Sequence, residues 1–311
     1  MKRLLLIPAC IVLLFHLSGK VAGQISFSDS LKSILSNASD SSKVKIYNKL
    51  SEYYLDSALY LSLEYAEKGL LLSKDQKWLW GEAYSENLMG IAYYYLSDYS
   101  QSLTYFRSSL QKRKLFGNNE EIAASYNNIA MVYTEYQNYD LAIECLNNSM
   151  EINLKEGLEI DVADNLHNLA TIYWEKKDYQ SAIKYTTEAL SIYEQLEIEH
   201  GIADIYNNLG NLYKETGKPD DALDYLQTAL KMYKKGNNLK GVATTKLNLA
   251  ELLFFLNKFN EGYVYLRDAL PLAKSLQSKD LLLEIHEYLA KYFKQKKNFK
   301  EALKHQKIFN S

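Results

Sequence analysis

The chain has 311 residues, of which 47% are hydrophobic and 24% are charged, a composition that is typical of a folded protein and excludes a disordered or collagen-like chain. Its 3 prolines and 13 glycines are too few for the many turns of a strand-rich fold, so long helices are favoured. The formal net charge of -2 offers no basic excess for phosphate contacts, which argues against a nucleic-acid partner.

Residues 1–23 have the layout of a secretory signal peptide. Lys2 and Arg3 precede an apolar run from Leu4 to about Leu17, and small residues follow up to Gly23. A membrane anchor is the alternative, but an anchor needs about 20 consecutive apolar residues, and this run is shorter and contains a histidine. We therefore expect cleavage after Gly23 and an exported chain, periplasmic or secreted, with no membrane span in its mature part.

One pattern recurs along the rest of the chain with a period of 40 residues. A small residue follows a large apolar one at positions 90, 130, 170, 210, 250 and 290, and an aromatic residue or a leucine comes three positions later. A looser copy lies around Ser51. A second small residue follows each of the six after twelve positions, at 102, 142, 182, 222, 262 and 302. A period without drift predicts an array of about seven equal units.

Each unit has the apolar spacing of two helices. Leu166, Leu169, Ala170 and Tyr173 follow the i, i+3, i+4, i+7 pattern of one helix face. Turn-forming residues such as Asn138-Tyr139 and Asp178-Tyr179 separate the two helices of a unit, and the small residues allow the helix axes to approach closely. A single hairpin of this kind cannot bury its apolar faces, so stacking of neighbours is expected to supply the core.

These residues closely resemble the tetratricopeptide-repeat signature, in which a Leu-Gly pair is followed by an aromatic residue and then by small residues on a second helix. The resemblance covers about residues 42–311, and the 40-residue period is similar to that of the longer branch with kinesin light chains and bacterial sensor proteins. It implies an all-α, right-handed solenoid of about seven stacked helix-turn-helix repeats. Residues 24–41 are predicted to form an N-terminal cap segment.

A recurring asparagine on the first helix of the units is the main candidate for a binding function. The resemblance implies that first helices line a concave groove. An amide side chain carries both a donor and an acceptor, so a ladder of amides could clamp an extended peptide backbone. Two alternatives remain, since the amides could bond to neighbouring helices inside the scaffold or reflect recent duplication. The predicted groove residues are Asn128, Asn168, Asn208, Asn248, Asn127, Asn207, Glu135, Glu175 and Glu215.

The charges and aromatic rings near this face suggest a ligand class. The three glutamates favour a neutral or basic ligand, with plain solvation of a polar helix face as the alternative. Tyr84, Tyr94 and Tyr95 on an early first helix could form an aromatic pocket, with ordinary packing as the alternative.

The sequence carries no catalytic signature. A nucleophile with its base, a zinc motif and a phosphate loop are all missing, and His167, His200, His286 and His305 are isolated from one another along the chain. We therefore expect no enzyme, no cofactor and no metal. The expected function is an exported protein–protein interaction scaffold that binds a protein or extended peptide in its concave groove.

Two other functions stay open at this point. The first is the periplasmic ligand-sensing part of a signal-transduction system that acts with a separate membrane kinase or regulator. The second is an enzyme built on a repeat scaffold, which would need clustered titratable residues with strongly shifted pKa values in one pocket.

Overall fold

The computed structural model describes the backbone of residues 21–309 and the side chains from residue 27 onward. All regular structure in this part of the chain is helical. The predicted signal peptide, residues 1–23, lies outside the described residues except for its last three, so its cleavage stays a prediction. None of the described helices is long and apolar enough to cross a membrane.

Helices of nearly equal length follow one another along the described chain. They are α1 (Val21–Ile34), a 3₁₀ turn (Leu35–Asn37), α2 (Asp40–Tyr54), α3 (Leu59–Asp75), α4 (Leu79–Tyr95), α5 (Tyr99–Phe116), α6 (Asn119–Glu135), α7 (Tyr139–Glu156), α8 (Glu159–Glu175), α9 (Tyr179–Gln195), α10 (Glu199–Glu215), α11 (Pro219–Lys235), α12 (Leu239–Phe255), α13 (Phe259–Ser275), α14 (Lys279–Gln295) and α15 (Phe299–Phe309). From α2 onward they come in pairs, so the predicted all-α solenoid of helix-turn-helix repeats is confirmed. In each pair we call the even-numbered helix the first helix.

Every turn between helices from residue 77 to residue 297 contains one residue in the left-handed backbone conformation, and these residues are 20 positions apart. Three of these residues are glycines and nine carry side chains, with φ between 50° and 75°. The next residue often caps the following helix, since the side chains of Asp98, Asn138 and Asp178 accept a hydrogen bond from a backbone N–H three residues on. The predicted turns therefore lie where the sequence indicated.

The described helices divide into two compact units, unit 1 up to residue 172 and unit 2 from residue 173. In unit 1, α5 packs on α4 and on α6, and in unit 2, α11 packs on α10 and on α12. Successive first helices also touch directly, α2 with α4 and α4 with α6 in unit 1, and α10 with α12 and α12 with α14 in unit 2. Because the first helices of neighbouring repeats touch directly, they lie on the side of each stack where the repeats are closest together. We call the face that they form the inner wall of the unit.

The predicted small residues lie where helices cross. In unit 1 the Ser102 hydroxyl donates to the Gly90 carbonyl at 2.8 Å, which joins α5 to α4. In unit 2, Leu226 of α11 lies against Gly210 of α10, where an added Cβ would come within 2.5 Å of the Leu226 Cγ. A larger residue at position 210 would therefore push the two helices apart.

Candidate functional site

Asparagine amides join successive first helices on the inner wall of unit 1. The Asn128 Nδ2 of α6 donates to the Asn87 Oδ1 of α4 at 2.9 Å. On the other side of α6, the Asn127 Nδ2 lies 3.5 Å from the Asn165 Oδ1 of α8, which also accepts from Asn153 of α7 at 3.1 Å. These amides therefore link three first helices and one second helix.

The same link recurs on the inner wall of unit 2. The Asn248 Nδ2 of α12 donates to the Asn207 Oδ1 of α10 at 2.9 Å, and the Thr245 hydroxyl donates to the same oxygen at 3.0 Å. The spacing of 41 residues equals that of Asn128 and Asn87 in unit 1. One geometry therefore repeats with the period of the sequence.

Burial of the predicted asparagines shows what the ladder does in the scaffold. Asn128, Asn168, Asn208 and Asn248 expose only 7–8% of their surface. Since buried amides cost free energy unless they are hydrogen-bonded, the bonds between helices account for asparagine at positions 128 and 248. The structure thus shows the internal bonding that was one of the alternatives, and a role for these residues in peptide binding stays a prediction.

The predicted glutamate of unit 1 is bound by tyrosines. Glu135 of α6 accepts hydrogen bonds from the hydroxyls of Tyr94 and Tyr99, each at 3.1 Å. One repeat earlier, the Tyr84 hydroxyl donates to Glu52 at 2.5 Å. Burial, followed by the adjacent carboxylates, raises the pKa of Tyr84 and Tyr94, so both hydroxyls stay protonated and keep donating.

A lysine takes the corresponding place on the inner wall of unit 2. The Lys214 Nζ of α10 lies 3.5 Å from Glu215 and 3.2 Å from Glu251 of α12. Glu251 is also hydrogen-bonded to Tyr288 of α14, whose pKa is raised by burial and by this carboxylate. A chain of polar contacts therefore crosses three first helices, and its carboxylates outnumber its ammonium group.

The last residue of each first helix is an exposed position of the inner walls in most repeats. Tyr95, Glu175, Glu215 and Phe255 hold this position and are exposed, while Glu135 is half-buried. Phe255 is the extreme case, with 62% of its surface exposed. Exposed aromatic side chains and carboxylates thus occupy the same register of these walls.

A family model of the tetratricopeptide repeat matches residues 81–155 and 161–235. The chain therefore contains tetratricopeptide repeats. Among curated proteins, none matches its sequence.

Solved structures of similar fold include two bacterial proteins and one fungal protein. The apo quorum sensor NprR from B. thuringiensis has 20% identity and a TM-score of 0.74 over 93% of this chain and 82% of its own. NprR in complex with its cognate peptide NprX has 20% identity and a TM-score of 0.63 over 96% of this chain and 86% of its own.

The other two are aspartyl phosphate phosphatase F from Bacillus subtilis and a repeat structure from Podospora anserina. The phosphatase has 18% identity and a TM-score of 0.71 over 93% of this chain and 75% of its own. The TPR-like repeats assigned to a kinesin light chain of Podospora anserina have 16% identity and a TM-score of 0.51 over 62% of this chain and 96% of their own. At these identities the similarity concerns the fold, and it confirms the resemblance to the longer repeats.

The polar chain around Lys214 in this tetratricopeptide-repeat protein was missed by sequence reasoning. A signal for it exists, because the register of Lys214 holds Tyr94, Thr134, Trp174 and Phe254 in neighbouring repeats. A lysine at a register that is mostly aromatic indicates a buried charge that needs partners. One partner, Glu215, is its neighbour in the sequence, but Glu251 comes from the next repeat, and no local pattern identifies it.

The expectation that the four histidines are isolated is wrong for two of them. The Nδ1 atoms of His286 on α14 and His305 on α15 lie 2.7 Å apart. His200 is exposed, whereas His167 is buried on the inner side of α8, and burial lowers the pKa of His167 to about 4. Within residues 27–309, no group of three or more His, Cys, Asp or Glu side chains is arranged to hold a metal ion.

Proposed function

We propose that this tetratricopeptide-repeat protein is an exported, non-catalytic scaffold that binds a protein segment or an extended peptide along its inner walls. One observation carries the proposal. Within each unit, successive first helices contact one another, so side chains from different repeats form one continuous surface that a ligand could follow.

The exposed chemistry of these walls favours a neutral or basic ligand with apolar side chains. Glu215 presents a carboxylate beside a lysine that Glu251 already shares. Tyr95 and Phe255 offer large rings that a ligand would cover. A basic group would complement the carboxylates, and an apolar residue would remove the rings from water.

The similarity in fold to peptide-binding proteins supports the same conclusion. NprR is a quorum sensor and forms a complex with its cognate peptide NprX. A chain of this fold can therefore accommodate a peptide. The description of NprR as a sensor also supports a second candidate function, in which this chain is the periplasmic ligand-sensing part of a signal-transduction system with a separate membrane-bound partner.

Peptide display against the purified chain tests the proposal. A library of random extended peptides is selected on the wild type, and the selected peptides are measured against a double variant of the inner walls, Tyr95→Ser with Phe255→Ser. We expect at least about a tenfold loss of affinity, because exposed aromatic anchors usually dominate binding.

A matched double variant on the second helices serves as the control. Tyr60→Ser with Val264→Ser also removes two exposed apolar side chains, and Tyr60 exposes 78% of its surface. Circular dichroism establishes that both variants keep their helices. Equal binding by the wall variant and the control, or equal loss in both, would contradict a binding site on the inner walls.

Export is tested separately, by expressing the full-length chain in a bacterium with a periplasm. We expect the chain in the periplasmic fraction with Gln24 as its first residue. A chain that keeps residues 1–23 and stays in the cytoplasm would contradict export and leave the binding proposal unaffected.

A further inference from the structure

The last helix, α15, is held in place by few buried side chains. Ala302 is its buried residue, whereas Phe299 and Leu303 are both exposed, Phe299 to 66%. A helix with so little apolar burial opens at a low cost in free energy. The specific contacts between α15 and α14 therefore decide whether α15 stays docked.

His305 provides these specific contacts. The centroid of its ring lies 4.9 Å from that of His286, and its ring is stacked on Phe293 at a centroid distance of 5.5 Å; both partners lie on α14. The 2.7 Å between the Nδ1 atoms of the two histidines is a hydrogen-bond distance. One nitrogen must carry the hydrogen and the other must accept it, so the contact needs at least one Nδ1 without a proton.

We propose that His286 and His305 form a proton-controlled latch, which docks α15 on α14 at neutral pH and releases it in acid. The neutral pair keeps the N–H···N bond, and so does the pair with one added proton. Uptake of a second proton from solvent places a hydrogen on both Nδ1 atoms. The bond is then lost, and two positive charges face each other at contact distance.

The surroundings of the pair oppose its protonation. Burial comes first and lowers the pKa of both histidines below the ordinary value of 6.5. Lys274 on α13 and Lys304 on α15 act in the same direction, while Glu301 on α15 favours the charged form of His305. His305 also lowers the pKa of His286.

The sign of the pH effect follows from these lowered pKa values. The released histidines regain the ordinary pKa of 6.5, so the released state binds more protons below that pH. The docked state is therefore fully favoured above about pH 6.5 and loses stability as the pH falls below it.

Hydrogen exchange measured by mass spectrometry tests the latch on the full chain. Protection of the amides in residues 299–309 is compared with that in α11 at about pH 7.5 and about pH 5, after correction for intrinsic exchange rates. We expect at least about a tenfold relative loss of protection in α15 at the lower pH. Unchanged relative protection of α15 would overturn the proposal.

Three variants identify the groups responsible. His305→Phe keeps a stacked ring without a titrating nitrogen, and His305→Gln keeps a polar side chain, so either variant that docks at pH 7.5 should hold α15 at both pH values. His200→Gln on α10 is the matched control and should respond as the wild type does. A pH response that persists in a docked His305 variant would overturn the latch.

Two further measurements decide the matter if both His305 variants leave α15 undocked. In the wild type, nuclear magnetic resonance should show both imidazoles titrating below 6.5 with mutual coupling, and independent titration at ordinary values would overturn the proposal. Zinc is added at pH 7.5 in the same exchange experiment. If zinc increases the protection of α15 and this increase is absent in the His305 variants, the two histidines form a metal site, and the latch is overturned as well.

Discussion

At one helix-crossing position of the repeat, buried serines of unit 1 donate hydrogen bonds to backbone carbonyls, whereas alanines hold the same position in unit 2. Ser109 donates to Ala83 at 2.7 Å, and Ser149 donates to Ala123 at 2.9 Å. The equivalent residues of unit 2, Ala229 and Ala269, are fully buried within apolar clusters. The repeat therefore requires a small residue at this position, and either hydrogen bonds or apolar burial can stabilise the crossing.

The inner walls differ between the units in a similar way. A neutral hydroxyl binds the carboxylate of Glu135 in unit 1, whereas an ammonium group, Lys214, lies between two carboxylates in unit 2. The backbone register is the same in both units. A shared fold thus presents different chemistry to a ligand, and seven substitutions would test the contacts that the two units use.

The largest effect is expected for Leu226→Ala in unit 2. Leu226 is fully buried and lies against Gly210, so truncation leaves a cavity and should cost about 2–5 kcal/mol of unfolding free energy. Chemical denaturation followed by circular dichroism measures the loss. In unit 1, Ser109→Ala at a crossing position three residues further along the second helix removes one hydrogen bond and should cost only about 1 kcal/mol. Equal losses would mean that the two kinds of crossing do not differ.

Acid should destabilise unit 1 through His167. Burial lowers the pKa of His167 to about 4, so the folded state binds fewer protons than the unfolded state, and stability is lost as the pH falls from about 6.5 toward 4. The full loss of unfolding free energy is about 3 kcal/mol. His167→Asn places the same residue as Asn87 and Asn127 at this register and should remove the loss.

Fluorescence of Trp78 and Trp80, both in unit 1, follows this transition, and the exposed His200→Asn serves as the control. The prediction fails if His167→Asn keeps the acid sensitivity of the wild type.

Lys214→Met should cost about 2 kcal/mol at neutral pH, because Glu215 and Glu251 are left without their shared cation while both remain partly exposed. The corresponding change in unit 1, Tyr94→Phe, should cost about 1 kcal/mol, since it removes one hydrogen bond to Glu135. Denaturation at two salt concentrations distinguishes the two variants, because salt should reduce the cost of Lys214→Met, which removes ionic contacts, and leave the cost of Tyr94→Phe unchanged. A salt-independent cost for Lys214→Met would argue against an ionic role.

The smallest effect is expected at the turns. Gln137 has a left-handed φ of 57°, which is strained for a residue with a side chain, so Gln137→Gly should stabilise the protein by about 0.5 kcal/mol. Gly157 has a φ of 70°, and Gly157→Ala should cost about 1 kcal/mol. Thermal unfolding of both variants tests whether these turns contribute equally. A loss of stability in Gln137→Gly would show that its side chain contributes more than its backbone strain costs.

Much of the fold could be predicted, because helix periodicity, turn residues and small crossing residues are local or strictly repeated. Asn128 and Asn248 could be assigned to one register for the same reason. Their burial could not be predicted. Whether a side chain at this register faces the groove or lies between two helices depends on how closely α4 and α6, or α10 and α12, approach each other. Asn165 was missed because its partners come from two different helices.

The amino-acid sequence by itself determined hairpins of constant length at a 40-residue period, since the spacing of apolar, small and turn residues acts within one helix or one turn. Only the tertiary structure decided which polar groups meet. His286 with His305, Lys214 with Glu251, and Asn248 with Asn207 are 19 to 41 residues apart. Such pairs form only when packed helices bring side chains together to within a few ångströms, and that geometry is a property of the assembled repeats.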